Sequence, residues 1–330
     1  MLIGKFKEKH PFLFVLLPVI ALALWSDAFL GYNSATLSSK NAAPLYYWIA
    51  VFFDQHRFWS VLLGFCFMII QAYMFNRVIA DKGLVDRTSQ LPALFYIVLM
   101  SSSFNLMGLH AIWFANFFLI ISLDKIFDVF NEDDVFLEVF NVGFFISIAS
   151  LFYLPSLWFL LLLLASLFIY YLVNIRGILA AIMGFITPFM FLVLYYFWYD
   201  KLAEKAAEYF NTQVPLLDFS LFHIVPIGWA SIGVIGTLAL VAIARTYLGG
   251  LRDKPVRIRK RFHVLLAYFI IALITIPFAG KQVPLHHAVI MPPLAAILAR
   301  FFQENKKVFW NEFFFTLLLL LIIVGKLARL

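Results

Sequence analysis

Charge is scarce in this chain. Only 13% of its 330 residues are Asp, Glu, Lys or Arg, where a soluble domain carries about a quarter. A water-soluble enzyme or binding domain is therefore excluded. A hydrophobic share of 64% and a mean hydropathy of +0.94 place the chain in lipid instead. Cysteine is almost absent: Cys66 stands alone within an apolar run, so no intrachain disulfide and no paired-thiol chemistry exists. No phosphate loop, no HExxH pair and no serine-centred triad occurs. Fixed-period repeats and soluble domains are missing too. Few charges fall inside the apolar runs, which argues against transport driven through buried carboxylates. The alternating ten-residue strands of a membrane barrel are lacking, so the runs read as helices.

What is present is a succession of apolar runs broken by short polar turns. Lys5, Lys7 and Lys9 precede the first run, read as a span rather than a leader. Further spans are expected over 58–79, 90–104, 107–123, 139–153, 155–173, 178–199, 221–244, 262–279, 288–302 and 310–324. The expected fold is thus an all-α polytopic bundle of about 11 spans forming one integral membrane domain. This layout leaves 18 of the 25 Lys and Arg on one side and seven on the other, namely Lys40, Arg57, Lys201, Lys205, Lys281, Lys326 and Arg329. By the positive-inside rule the amino terminus is expected inside and the carboxyl terminus outside. The net charge of +7 then reflects cytoplasmic loops rather than nucleic-acid binding.

Four segments stand apart. An external loop over 27–57 contains Pro44-Leu-Tyr-Tyr, expected as an interfacial helix. The acidic segment 124–138 is expected inside, with Phe127, Phe130 and Val135 as a possible partner-docking face. Segment 200–218 is external and amphipathic, and 245–261 is a basic cytoplasmic loop. Small residues at Gly177, Ala180, Ala181 and Gly184, and at Gly233 and Thr237, have the spacing of close helix contacts.

The polar stretch from Phe278 to Arg300 is where a site is expected. Pro284, Pro292 and Pro293 remove backbone donors and imply irregular backbone there, tolerated at that depth only inside protein or beside a cavity. Asp27, where the first span leaves the membrane, could serve as a general base or bind a cation, or simply end a helix. Lys281 could hold a phosphate, or snorkel to headgroups. His286 and His287 point about 100° apart on a helix and cannot chelate one ion unaided. His56, His110 and His223 fall on the same expected side, where Asp27 and Asp218 would be needed to complete a divalent metal site.

Two regions resemble the GT-C superfamily of membrane glycosyltransferases, which use polyprenyl-phosphate sugars. One is the amino-terminal plan of a helix, an external loop opening on Asp27, and the Pro44-Leu-Tyr-Tyr segment. The other is Gly280-Lys-Gln-Val-Pro-Leu-His-His-Ala-Val-Ile-Met-Pro-Pro-Leu-Ala-Ala-Ile-Leu-Ala299. The resemblance implies a catalytic carboxylate at Asp27. It also implies a lipid-phosphate contact at Lys281, with His286, His287 and Tyr32 beside the substrate. It departs from the family in having Ala28 after Asp27, histidine in place of a tyrosine, and no soluble domain. The chain is also similar to polytopic inner-membrane proteins of Gram-negative bacteria. A non-catalytic subunit, meeting membrane-protein partners through 124–138 or 200–218, is the other expectation.

Overall fold

The most enclosed helix is one of the shortest. All ten residues of Leu91–Met100 are buried, and a helix of that length rises only about 15 Å, half the thickness of a bilayer core. It needs no greater length, because protein rather than lipid surrounds it. The structure, a computed structural model, describes residues 2–7, 12–31, 43–130, 135–213, 226–251, 253–305 and 307–327. At 2, 54, 104, 208–213, 226–232, 248, 250, 281–284 and 327 it describes the backbone alone.

Among the described residues the regular elements are all helical. They are α1 (Leu2–Phe6), α2 (Phe12–Phe29), α3 (Tyr47–Asp54), α4 (Arg57–Asp81), α5 (Leu91–Met100), α6 (Ala111–Val129) and α7 (Val135–Phe152). The second half comprises α8 (Leu160–Tyr170), α9 (Ile175–Trp198), α10 (Leu202–Gln213), α11 (Pro226–Arg245), α12 (Val256–Ile274), α13 (Val283–Glu304) and α14 (Val308–Leu327). Six of these are long and apolar enough to cross a membrane: α2, α4, α7, α9, α13 from Leu285, and α14 to Lys326. The chain is a multi-pass membrane protein. Around α5 pack α4 and α13, with α2 alongside, and α13 is itself buried along most of its length. α9 and α14 lie outermost and expose Phe191, Phe197, Phe309 and Leu320.

The prolines do not break α13. Pro292 and Pro293 sit inside a continuous helix, and the irregular backbone lies upstream, in a 3₁₀ segment over Ile276–Gln282 where Gly280 has φ 52°. The expectation of irregular backbone at 292–293 is therefore corrected. Its physical reason is a replacement donor. Pro292 cannot donate to the carbonyl of Ala288 four residues back, and Asn116 Nδ2 of α6 takes that carbonyl at 2.9 Å. The same device recurs in α2. Pro18 frees the carbonyl of Phe14, and Tyr73 of α4 donates its hydroxyl to it at 2.5 Å.

Glycine sets the α7–α9 crossing. A Cβ on Gly184 would collide with the carbonyl oxygen of Phe140, and one on Gly143 with that of Ala181. The backbones thus meet without intervening side chains, as the Gly177–Gly184 spacing suggested. Gly233 and Thr237 do not follow suit: nothing lies within 4 Å of a Cβ on Gly233, and Thr237 is exposed.

Polar groups collect at the two ends of the bundle. At one end Arg261 donates to the carbonyls of Lys82 (2.8 Å) and Phe127 (3.0 Å). Lys82 in turn pairs with Asp124 at 2.9 Å and Asp128 at 2.6 Å, and Lys125 meets Glu138 at 3.2 Å. Lys7 reaches the carbonyl of Asn305 at 3.0 Å, and burial lowers its pKa. This end gathers the chain segments assigned to the basic side. The acidic segment spends Asp124, Asp128 and Glu138 on lysines of its own chain, and Phe127 is fully buried while Phe130 packs on Tyr170. Phe127 and Phe130 thus pack within the chain; residues 131–134 lie outside the described residues. The basic loop is also partly helical, since α12 begins at Val256 behind Pro255.

Gly184→Val should prevent close approach of α7 and α9 and abolish monodisperse protein on size exclusion. Gly233→Ala should leave elution unchanged and raise the melting temperature slightly, by the helix propensity of alanine, about 1 kcal/mol. A folded Gly184→Val protein with wild-type stability would refute the crossing.

Candidate functional site

The opposite end of the bundle holds the groups that sequence reasoning singled out. Asp27 lies in the last turn of α2. A carboxylate there faces the negative end of the helix dipole and needs a counter-charge. Lys326, in the last turn of α14, supplies it at 3.8 Å. Lys326 is itself buried, donates to the carbonyl of Leu24, and touches Met107 Sδ at 4.0 Å. Asp27 keeps about a quarter of its side chain exposed. One residue pair therefore joins the first long helix to the last. Beside it Trp25 is buried, with Nε1 donating to Ser101 Oγ at 3.1 Å.

Residues 101–110 cross this end without regular helix except a 3₁₀ turn at Phe104–Leu106. Their backbone groups are met by side chains from neighbouring helices. Leu109 N donates to Ser60 Oγ at 3.0 Å, Tyr46 donates its hydroxyl to Leu109 O, and Trp113 Nε1 donates to Gly108 O at 2.8 Å. Gly108 presses so closely on α4 that a Cβ at Gly64 would lie 2.6 Å from its oxygen. His110, at the entry to α6, is buried at 5% exposure. α3 lies nearby as an amphipathic helix. Ala50, and Tyr46 just before it, pack against Phe114 and Phe152, while Trp48 and Phe52 face outward.

His286 is fully buried in the first turn of α13. Its Nδ1 is 2.8 Å from the Tyr153 hydroxyl, and its Nε2 is 3.1 Å from both Thr275 Oγ1 and the Ala272 carbonyl. A carbonyl only accepts, so Nε2 carries the proton and Nδ1 accepts from Tyr153. A neutral imidazole satisfies this arrangement, which ties α13 to the end of α12 and to the corner after α7. His286 thus acts as a pin between helices. His287, next to it, is half-buried.

Among the described residues no hydrogen bond or ion pair joins Asp27 to His286. Tyr32 lies outside the described residues, and only the backbone of Lys281 is described, within the 3₁₀ segment. No three His, Cys, Asp or Glu side chains among the described residues could hold a metal ion; Asp218 and His223 lie outside that set. Lys326, Tyr153, Thr275 and Asn116 were missed. Their one signal was isolation: Lys326 and Asn116 are lone polar residues in otherwise apolar runs.

The sequence pattern of a family of unknown function, DUF6427, matches residues 43–330. The chain belongs to DUF6427. No curated protein and no solved structure matches it. Within this DUF6427 chain the matched region contains Lys281, His286, His287 and Lys326, whereas Asp27 precedes it.

Lys326→Met should strand the Asp27 carboxylate at a helix end and lower stability in detergent by about 1–3 kcal/mol. Adding Asp27→Asn should recover much of that loss. Strictly additive melting shifts in this double-mutant cycle would show that the two groups do not interact.

Proposed function

We propose that the protein is a membrane-embedded transferase acting on a sugar carried by a polyprenyl phosphate, resembling the GT-C enzymes in plan. What supports this reading is Asp27: a part-exposed carboxylate at the end of a membrane helix, with the Lys326 ammonium 3.8 Å behind it. Arg57 donates to the carbonyl of Gly31 at 3.2 Å and so holds the start of α4, just after α3, against the same helix end. In this mechanism Asp27 orients an acceptor hydroxyl and takes its proton. The acceptor oxygen bonds to the anomeric carbon as the bond to the phosphate oxygen breaks. The leaving polyprenyl phosphate keeps that electron pair, and a cation balances its charge, with Lys281 in the role that the resemblance implies. His287 and Tyr32 line the substrate in this reading, and His286 supports it from beneath.

The proposed topology has eleven crossings: α2, α4, α5, α6, α7, the 3₁₀ turn with α8, α9, α11, α12, α13 and α14. The 18-to-7 distribution of Lys and Arg favours the basic end in the cytoplasm and the carboxyl terminus outside, in a bacterial inner membrane. Asp27 would then work on the periplasmic side.

A specific observation favours a second reading, a non-catalytic membrane subunit. His286 is saturated by Tyr153, Thr275 and Ala272, and Asp27 is neutralised within the chain. Both then serve packing alone.

One assay separates the two. The protein in nanodiscs is given a short-chain polyprenyl-phosphate hexose together with a membrane extract as acceptor, and release of polyprenyl phosphate is measured. Asp27→Asn should slow release by about 10²–10⁴-fold in protein that still elutes as a single folded species, although it leaves Lys326 without its counter-charge and lowers the melting temperature. Equal release by wild type and Asp27→Asn, or none by either, would leave the subunit reading standing.

A further inference from the structure

Seven cations crowd into residues 245–261, the corner between α11 and α12. Arg252 lies outside the described residues, and the structure divides the other six by direction. Two turn inward. Lys260 donates to the carbonyl of Tyr170 at 3.3 Å and lies over the Phe130 and Tyr171 rings. Arg261 holds the carbonyls of Lys82 and Phe127. The other four, Arg245, Lys254, Arg257 and Arg259, are exposed, and among the described residues no carboxylate forms an ion pair with them. α12 has no acidic residue in its first turn, so the positive pole of its dipole adds to Arg257 and Arg259 instead of offsetting them. Asp253 alone does not balance this field, and an anion from outside the chain would.

Position decides which anion. Arg245 is the last residue of α11, and Arg259 stands at the start of α12. Beneath each, the outward face turns apolar. Val241 lies one turn before Arg245, while Ile270 and Ile274 follow Arg259 and His263 at helical spacing, and all are exposed. Tyr247 joins the two helices from a π-helical turn, its ring 5.8 Å from that of Phe262 and 5.6 Å from that of His263. Tyrosine and arginine above a lipid-facing surface sit at headgroup depth. Any loop cation satisfies the positive-inside rule. That rule does not require cations to stand unpaired directly above apolar outward faces, as these do.

We propose that this rim docks on the headgroups of anionic glycerophospholipids in the leaflet at the basic end. Arg245 and Arg259 take headgroup phosphates, Lys254 and Arg257 add attraction farther from the apolar layer, and acyl chains lie along Val241, Ile270 and Ile274. A zwitterionic lipid carries a cation beside its phosphate and gains less. The surface is independent of the transferase reading and lies at the other end of the bundle from Asp27.

The test is native mass spectrometry of the full chain in detergent, with phosphatidylglycerol and phosphatidylcholine in competition and inorganic phosphate as the soluble probe. Each engaged arginine should favour phosphatidylglycerol about fivefold, hence about 25-fold for the two. Arg245→Gln with Arg259→Gln should erase that preference, and Arg245→Lys with Arg259→Lys should keep most of it. Should the glutamine pair not fold, Arg259→Gln alone should lower the preference about fivefold. Arg77→Gln is the control: it removes a cation at the same end, but one paired with Asp81 at 3.4 Å, and should change nothing. No preference in the wild type, or an unchanged one in the glutamine variants, would overturn the surface. An equal fall in Arg77→Gln would overturn it too, since net charge alone would then attract the lipid. Displacement of the lipid by inorganic phosphate at equal concentration would replace the lipid assignment with a soluble anion.

Discussion

A bilayer offers no water to pair with a backbone amide or carbonyl, and the rest of this structure answers to that constraint. Helices satisfy most groups internally, and the exceptions are where the helices are joined. Pro18 and Pro292 each leave one carbonyl without its donor. The bare oxygens of Phe14 and Ala288 are taken by Tyr73 and Asn116 from neighbouring helices. Proline, which would weaken an isolated helix, here specifies a contact. The non-helical passage over 101–110 works in the same way, with Ser60, Tyr46 and Trp113 completing its backbone bonds.

The same constraint explains where charge is allowed. Arg261, Lys82, Asp124 and Asp128 interlock at one end, where long side chains can reach carbonyls and water together. Lys326 is the exception at the other end. It is buried, and only the Asp27 carboxylate and the negative end of α2 make that position tolerable. A pair placed so strategically, between the first and last long helices, can hold the bundle closed or present a polarised carboxylate at its surface. The two proposed functions differ on this choice alone.

α5 shows how tertiary context overrides a length rule. Ten residues are too few to cross a bilayer alone. Enclosure by α2, α4 and α13 removes the need to match lipid thickness, because no part of α5 meets lipid. Burial all round is also why its sequence shows no polar face.

Composition and run length were enough to establish a helical, multi-pass membrane protein. Hydropathy depends on which residues are present, not on what they touch. The Gly177–Gly184 spacing was legible for a similar reason, since small residues at helical intervals permit only close approach. Partnership was not legible. Nothing in the string of letters pairs Asp27 with Lys326, 299 positions away, or turns His286 toward Tyr153 and Thr275. Nor could spacing show that Pro292 would be accommodated, because the accommodating group, Asn116, belongs to another helix. The sequence alone determined the solvent and the helical class. Only the tertiary structure decided which polar groups are spent on packing and which, like Gln90 Oε1, are left unpaired, because hydrogen bonds depend on distance in space and not along the chain.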